Sequence, residues 1–324
     1  MSSSPLTICT HSGSFHADEA LACFMLKQTN KYKDAQIIRS RDAAVVDKAD
    51  VAVDVGAVYD LNRNRFDHHQ AGFTETFDEQ HETKLSSAGL VYKHFGKEII
   101  KSRLSLNDEC TSIIFNKVYN EFIEELDGVD NGIERYPIDI KPKYRVTSTI
   151  GQRVSTLNPN WNEPQTDELL GQRFEKAMQL MGETFLDKVD YFGNSWLPAR
   201  SIVERALLTR REVHPSGQII VLDQVCPWKD HLYELEAVHD VKEKPVLFCL
   251  FQDNLGSWRV QAVNLDGSFA LRKALPEAWR GRRDKELSEL VGIEGCIFTH
   301  ANGFIGGHAN KDGALVMAIK GLES

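Results

Sequence analysis

Leu6-Thr-Ile-Cys-Thr-His-Ser-Gly-Ser-Phe-His-Ala-Asp-Glu-Ala-Leu-Ala22 decides the fold. An apolar, strand-like run from Leu6 to Thr10 ends on His11. After His16 the chain from Ala17 to Lys27 places apolar residues at Ala20, Leu21, Phe24 and Met25, which is one face of a helix. Asp18 and Glu19 fall in the first turn, where the helix dipole by itself favours a carboxylate. The pattern recurs: Val51-Ala-Val53 runs into Asp54, and Arg65-Phe66 into Asp67-His68-His69. In open α/β sheets ligands bind beyond the carboxyl ends of the strands, so these clusters are expected to converge on one crevice. A mixed set of imidazoles and carboxylates suits Mn²⁺, Zn²⁺ or Fe²⁺ better than Ca²⁺, and there are more ligands than one ion needs.

Further along, Gln36 to Arg39 reads as a strand and Ser87 to Ile100 as a helix that Ser86 or Ser87 caps. Alternating β and α segments imply a mostly parallel sheet flanked by helices. Asn107 to Leu126 has helical spacing and runs into Asp127-Gly-Val-Asp130-Asn-Gly132, whose glycines and Asn131 should end the helix with both aspartates at its terminus. Pro137 to Pro164 holds four prolines and reads as irregular, and a long helix is expected from Thr166 to Phe192. A helix over Ala199 to Arg211 then leads to strands at Gln218 to Leu222, Pro245 to Phe251 and Trp258 to Val263. At 324 residues the chain exceeds the usual reach of one core. Two domains are expected, 1–195 for the metal site and a smaller α/β substrate domain over 196–324.

The composition, 42% apolar and 26% charged, is that of a globular protein, and no apolar run approaches membrane-spanning length. Met1 to Pro5 is too short for a secretory signal, and six scattered cysteines without a CxxC pair favour a reducing, intracellular setting. The formal charge of −9 argues against a simple electrostatic nucleic-acid binder. It is concentrated early: 16 Lys and Arg face 17 Asp and Glu from residue 195 onward, leaving 22 against 30 before it. Bound divalent cations would offset part of that acidity.

Such a ligand set suits phosphoester hydrolysis, in which two cations about 4 Å apart lower the pKa of a bound water and clamp the phosphoryl group. Asp54, between an apolar strand and Gly56, is well placed to bridge them. Late in the chain, Gly306-Gly307-His308 precedes a helix-like Gly313 to Lys320. Two glycines admit a close ligand and successive N–H groups can hold a phosphate, although Gly-Gly-His also occurs in ordinary turns. Arg200, Arg205 and Arg280 to Arg283 read as solvated surface with the option of a phosphate contact.

The Asp67-His68-His69 tripeptide, Asp54 in Val-Asp-Val-Gly, the early His/Asp cluster and the late Gly-Gly-His together resemble the DHH phosphoesterase superfamily of pyrophosphatases, exopolyphosphatases and RecJ-like exonucleases. More closely, Thr10 to Ala22, Asp67-His-His-Gln70, Lys84 to Leu90, Asp127 to Gly132, Ser195 to Arg200, Cys226-Pro-Trp-Lys229 and Gly303 to His308 look like the melanocyte-proliferating-gene (MYG) family over nearly the whole chain. The resemblance implies one ion held by His11, His16 and Asp54 and another by Asp18, Asp54, His68 and Asp130. It also implies that His69 faces substrate and that Gly306, Gly307 and His308 bind a phosphate from the second domain; Arg200 is the arginine expected to contact it as well. Mn²⁺ is the metal it suggests, with Mg²⁺ or another divalent ion as alternatives. It further implies 3′-to-5′ exonuclease action on RNA, single-stranded by expectation, in nucleus or mitochondrion, whereas the short N-terminal run before the first strand favours nucleus and cytoplasm. One departure stands out: the first motif of the superfamily commonly reads Asp-x-Asp, whereas this chain has His16-Ala-Asp18, which lowers the negative charge at the first ion. Asp127 competes with Asp130 for the fourth motif, and the Asp-Asn-Gly turn favours Asp130. A hydrolase of pyrophosphate or a nucleotide, and a non-catalytic protein that metals only stabilise, are the rival expectations.

Overall fold

A computed structural model describes residues 5–324 except 138 and 242. The chain divides into two compact units, Met1–Gly193 and Asn194–Ser324. No described helix is long and apolar enough to cross a membrane.

The first unit is built on five strands, β1 (Thr7–Thr10), β2 (Gln36–Arg39), β3 (Val51–Val53), β4 (Tyr59–Asp60) and β5 (Arg65–Phe66). Their order is β2-β1-β3-β5-β4, with every pairing parallel except the β4–β5 edge. Parallel strands need crossover helices, and the chain supplies α1 (Ala17–Lys27) after β1 and α2 (Ala43–Lys48) after β2. Cys9 and Ala52 pack against Val46 of α2 on one face. Alternation therefore turns Ile8, Val51 and Val53, all fully buried, to the other face, on the side of α1. There α1 lies against α3 (Ser87–Leu104) and α7 (Asp167–Tyr191). Between α3 and α7 come α4 (Asp108–Val118), a π-helical turn at Tyr119–Ile123, α5 (Glu124–Asp130) and the short α6 (Ile150–Ser155). As expected, the helix ends with Asp127 and Asp130 in its last turn and Asn131 as its cap, and Gly132, at φ 66°, ends the turn that follows. The stretch expected to be irregular contains α6, started by Thr149, whose hydroxyl accepts the Gln152 N–H.

The second unit holds α8 (Leu197–Leu208), α9 (Arg210–Val213), β6 (Ile219–Val221), α10 (Lys229–Val238), β7 (Phe248–Gln252), β8 (Trp258–Ala262), α11 (Asp284–Val291), β9 (Cys296–Thr299), β10 (Ile305–His308) and α12 (Lys311–Glu323). Its sheet runs β6-β7-β8-β10-β9, parallel only at β6–β7. Alternate residues feed two cores. Phe248, Leu250 and Val260 meet α11 and α12 on one face, while Ile220, Cys249 and Phe251 meet α8 and α10 on the other.

The Gly-Gly-His segment takes a different local structure from the one expected. Gly306 and Gly307 do not form a loop: both are buried in β10, between Val260 and Arg259 of β8 and Thr299 and Phe298 of β9. Successive N–H groups of a strand point to opposite neighbours, so they cannot converge on one phosphate. Gly307 is needed for packing, since a Cβ there would strike the Arg259 guanidinium and lie 2.9 Å from the Phe298 ring. His308 is 1% exposed, with Nε2 2.9 Å from the Glu294 carbonyl and Nδ1 accepting the Asn310 N–H at 3.1 Å. Arg200, on α8, is tied to Glu234 of α10 at 2.7 Å.

Candidate metal centre

Three parallel strands end side by side, and each delivers metal-type side chains from its carboxyl end. After β1 come His11 and a tight loop that turns at Gly13, where φ is 90°. Arg39 Nη2 donates to the Gly13 carbonyl at 2.6 Å, and Asn158 clasps Phe15 from both sides, accepting its N–H at 2.9 Å and donating to its carbonyl at 2.8 Å. His16 then starts α1, whose first turn directs Asp18 and Glu19 inward, 1% and 0% exposed. After β3, Asp54 takes the left-handed conformation at φ 54°, a strained backbone for a residue other than glycine and a common mark of functional sites. After β5 stand Asp67, His68 and His69.

Asp54 is the meeting point. Its Oδ2 lies 3.4 Å from His11 Nε2, and its Oδ1 lies 3.2 Å from His69 Nδ1 and 3.8 Å from His68 Nδ1. The Ser87 hydroxyl, in the first residue of α3, donates to Oδ1 at 3.3 Å. His68 Nε2 is 3.0 Å from Asp130 Oδ2 at the end of α5. Four groups of donor atoms, each within 4.8 Å of one another, follow: His11, His16 and Glu19; Asp18, Glu19 and Asp54; Asp18, His68 and Asp130; and Asp54 with Asp67, His68 and His69. They overlap at Asp18, Glu19, Asp54 and His68. A cavity of about 780 Å³ opens beside them, lined by His11, His16, Asp18, Asp54, His69 and Asp130, with Arg41 and residues of α5 and α6 at its sides.

The donors suit divalent cations on grounds internal to the fold. Both carboxylate oxygens of Asp18 and Oε2 of Glu19 are buried without a hydrogen-bond partner, an expensive state for ionised groups. Burial, with Asp54, Asp130 and Glu19 close by, pushes the Asp18 carboxyl well above the usual range. Burial opposes protonation of His11, but Asp54 and Glu19 outweigh it and raise its pKa to about 9. Asp54, chiefly, and Asp67 raise His69 to about 9, and the two imidazoles hold Asp54 below the usual carboxylate range despite its burial. Protons on imidazoles thus supply the positive charge that the carboxylates demand, the part that a divalent ion takes over when it binds.

His11, His16, Asp18, Asp54, His68, His69 and Asp130 are therefore brought together in the first unit. Asp127 is turned away: it accepts from Ser86 N at 2.9 Å, Ser86 Oγ at 2.8 Å and the Tyr119 hydroxyl at 3.0 Å. Asp67 serves as a brace, accepting from Ala57 N at 2.7 Å and His69 N at 2.9 Å. Sequence reasoning overlooked the inward turn of Glu19, because an acid at a helix start already has a simple explanation. It also missed Asn158, 143 residues from Phe15 along the chain, for which no local signal exists.

Comparison with known proteins follows this geometry. The model of the uncharacterised protein family UPF0160 (MYG1_exonuc) matches residues 7–322. A MYG1 protein of Dictyostelium discoideum is 62% identical over 320 residues, 98% of this chain and 97% of that one. A MYG1 exonuclease of Homo sapiens is 46% identical over 97% of this chain and 85% of its own, and a MYG1 protein of Saccharomyces cerevisiae is 47% identical over 97% and 95%. A solved structure titled "Crystal structure of exonuclease RecJ bound to manganese" aligns at a TM-score of 0.26 with 13% identity, covering 98% of this chain and 90% of that chain, a likeness that carries no argument. With a family model spanning almost every residue and relatives this similar over nearly their full length, the chain belongs to the MYG1 family.

Proposed function

We propose that this protein is a metal-dependent phosphodiesterase that removes nucleotides from the 3′ end of single-stranded RNA, using two divalent ions, Mn²⁺ by preference. The carrying observation is Asp54, whose two carboxylate oxygens face different histidines, His11 on one side and His68 and His69 on the other. That is the posture of a bridging ligand, and relatives over nearly the same length bear the name exonuclease. His11, His16 and Asp54 would hold one ion, and Asp18, Asp54, His68 and Asp130 the other. Bound there, the pair supplies a water of lowered pKa and charge to offset that of the phosphoryl oxygens.

The remaining work falls to the chain's own groups. His69, with 62% of its side chain exposed and its Nδ1 tied to Asp54 and Asp67, lines the cavity and would donate to a phosphate oxygen through its other nitrogen. Asp67 and Ser87 fix the orientation of His69 and Asp54. An intracellular setting, nuclear, cytoplasmic or mitochondrial, is supported by six unpaired cysteines, four of them buried.

The test is hydrolysis of 5′-labelled single-stranded RNA by chelator-stripped protein with and without Mn²⁺, with Asp54→Asn as control. A Mn²⁺-dependent ladder shortening from the 3′ end, absent in the variant, is expected. Internal fragments or shortening from the 5′ end would overturn the polarity. Equal action on DNA would overturn RNA preference, and phosphate release from pyrophosphate alone would make the protein a small-phosphate hydrolase.

A further inference from the structure

We infer that Glu19 is a ligand of the first ion, supplying the carboxylate that His16 does not. The inference rests on the two-ion reading above and adds to its ligand set. Glu19 is fully buried, and its Oε1 lies 3.0 Å from His11 Nε2. His11 Nδ1 sits 3.3 Å from the Ser12 carbonyl, a partner for its N–H, so Nε2 is the nitrogen that faces Glu19 and Asp54 and would turn to an ion once its proton is displaced. Asp54 Oδ2 stands 3.4 Å from the same Nε2. Ligands held about 2.1 Å from one ion lie roughly 3.0 to 3.4 Å from each other, in octahedral or tetrahedral shells respectively, so Glu19 and Asp54 each stand from His11 Nε2 at the spacing of ligands on one ion.

A plainer role exists, since Oε1 also accepts the His16 N–H at 2.8 Å and so caps α1. That role accounts for one oxygen only. Oε2 is buried with no partner, and Glu19 stands within ligand distance both of His11 and His16 and of Asp18 and Asp54. An exposed carboxylate would cap the helix equally well without losing its hydration. Charge points the same way: where His16 replaces an acid, an adjacent buried acid restores the negative charge at the first ion.

The test uses the full chain stripped of metal, wild type and Glu19→Gln, because glutamine keeps an oxygen for the His16 N–H. Mn²⁺ binding is followed by the electron paramagnetic resonance signal of the free ion, melting by circular dichroism, and the Co²⁺-loaded forms by visible absorption. Wild type is expected to take up two Mn²⁺, and Glu19→Gln to bind one of them at least about 100-fold more weakly, a larger loss than removal of an orienting partner usually gives. The Co²⁺ spectrum should change, and the metal-free variant should melt no lower than wild type. Two ions at unchanged affinity, an unchanged Co²⁺ spectrum, or a lower melting temperature with intact stoichiometry would each reduce Glu19 to a cap or a brace for His11. If the wild type binds no Mn²⁺, the metal centre itself falls, a result distinct from the failure of Glu19 alone.

Discussion

Asp127 gives the sharpest quantitative prediction, because it is a buried carboxylate outside the ligand groups. Burial pushes its pKa from 3.8 up to about 7, although Ser86 and Tyr119 donate to it. An acid whose folded pKa is raised stabilises the fold below its unfolded pKa, and that contribution is lost as pH rises through the folded value. The window here is pH 4 to 7, and the whole span, about three pH units, is worth roughly 4 kcal/mol. Asp127→Asn removes the titration while Oδ1 keeps the Ser86 bonds and the Tyr119 hydroxyl turns to accept. The stability of the variant minus that of wild type should therefore climb by about 3 kcal/mol from pH 5 to pH 8 and flatten above it. Urea denaturation of the chelator-stripped proteins, followed by circular dichroism at pH 5, 6, 7 and 8, measures the difference directly. A difference independent of pH would refute the buried, partly protonated Asp127, and a lost Mn²⁺ site in the variant would refute its exclusion from the ligands.

Other consequences are simpler to read. Asp130→Asn should keep the fold and lose one of two Mn²⁺ in equilibrium dialysis; retention of both would remove Asp130 from the site. Gly89→Ala places a Cβ on the Asp127 carboxylate and should cost about 2 to 3 kcal/mol, seen as a lower melting temperature; an unchanged melt would contradict that contact. Asn158→Ala, which frees the His11–His16 loop, should cost about 1 to 2 kcal/mol and weaken Mn²⁺ binding about 10-fold, whereas equal affinity would mean the loop holds itself. Free Mn²⁺ at about 100 times its dissociation constant should add about 2.7 kcal/mol per ion to stability, reversed by chelator; no shift in melting would contradict a built site.

The first unit was legible because its strands are short apolar runs that each end on a ligand-type residue, so periodicity and chemistry reported the same boundaries at Thr10, Val53 and Phe66. Less legible was anything that depends on partners distant in the chain. Asp127 and Asp130 sit in one helical turn and differ only in what they face, Ser86 for one and His68 for the other. Gly306-Gly307-His308 has the composition of a loop, yet two flanking strands and the bulk of Arg259 and Phe298 make it β structure. Glu19 was hidden by a sufficient local reason for its presence, the dipole of α1, and only its orphaned oxygen shows that more is asked of it.

The Asn158 clasp sets a schedule for the birth of the centre. Strands β1, β3 and β5 leave the ribosome early with their acids and imidazoles, but the loop from His11 to His16, which Arg39 holds at Gly13, lacks its clasp at Phe15 until a residue 143 positions beyond arrives and docks. Closing so long a span is slow, and meanwhile the nascent chain carries ligands with no fixed spacing. Metal selectivity that depends on geometry is thus acquired late, after nearly half the chain has been made, and an ion captured earlier is chosen by availability instead.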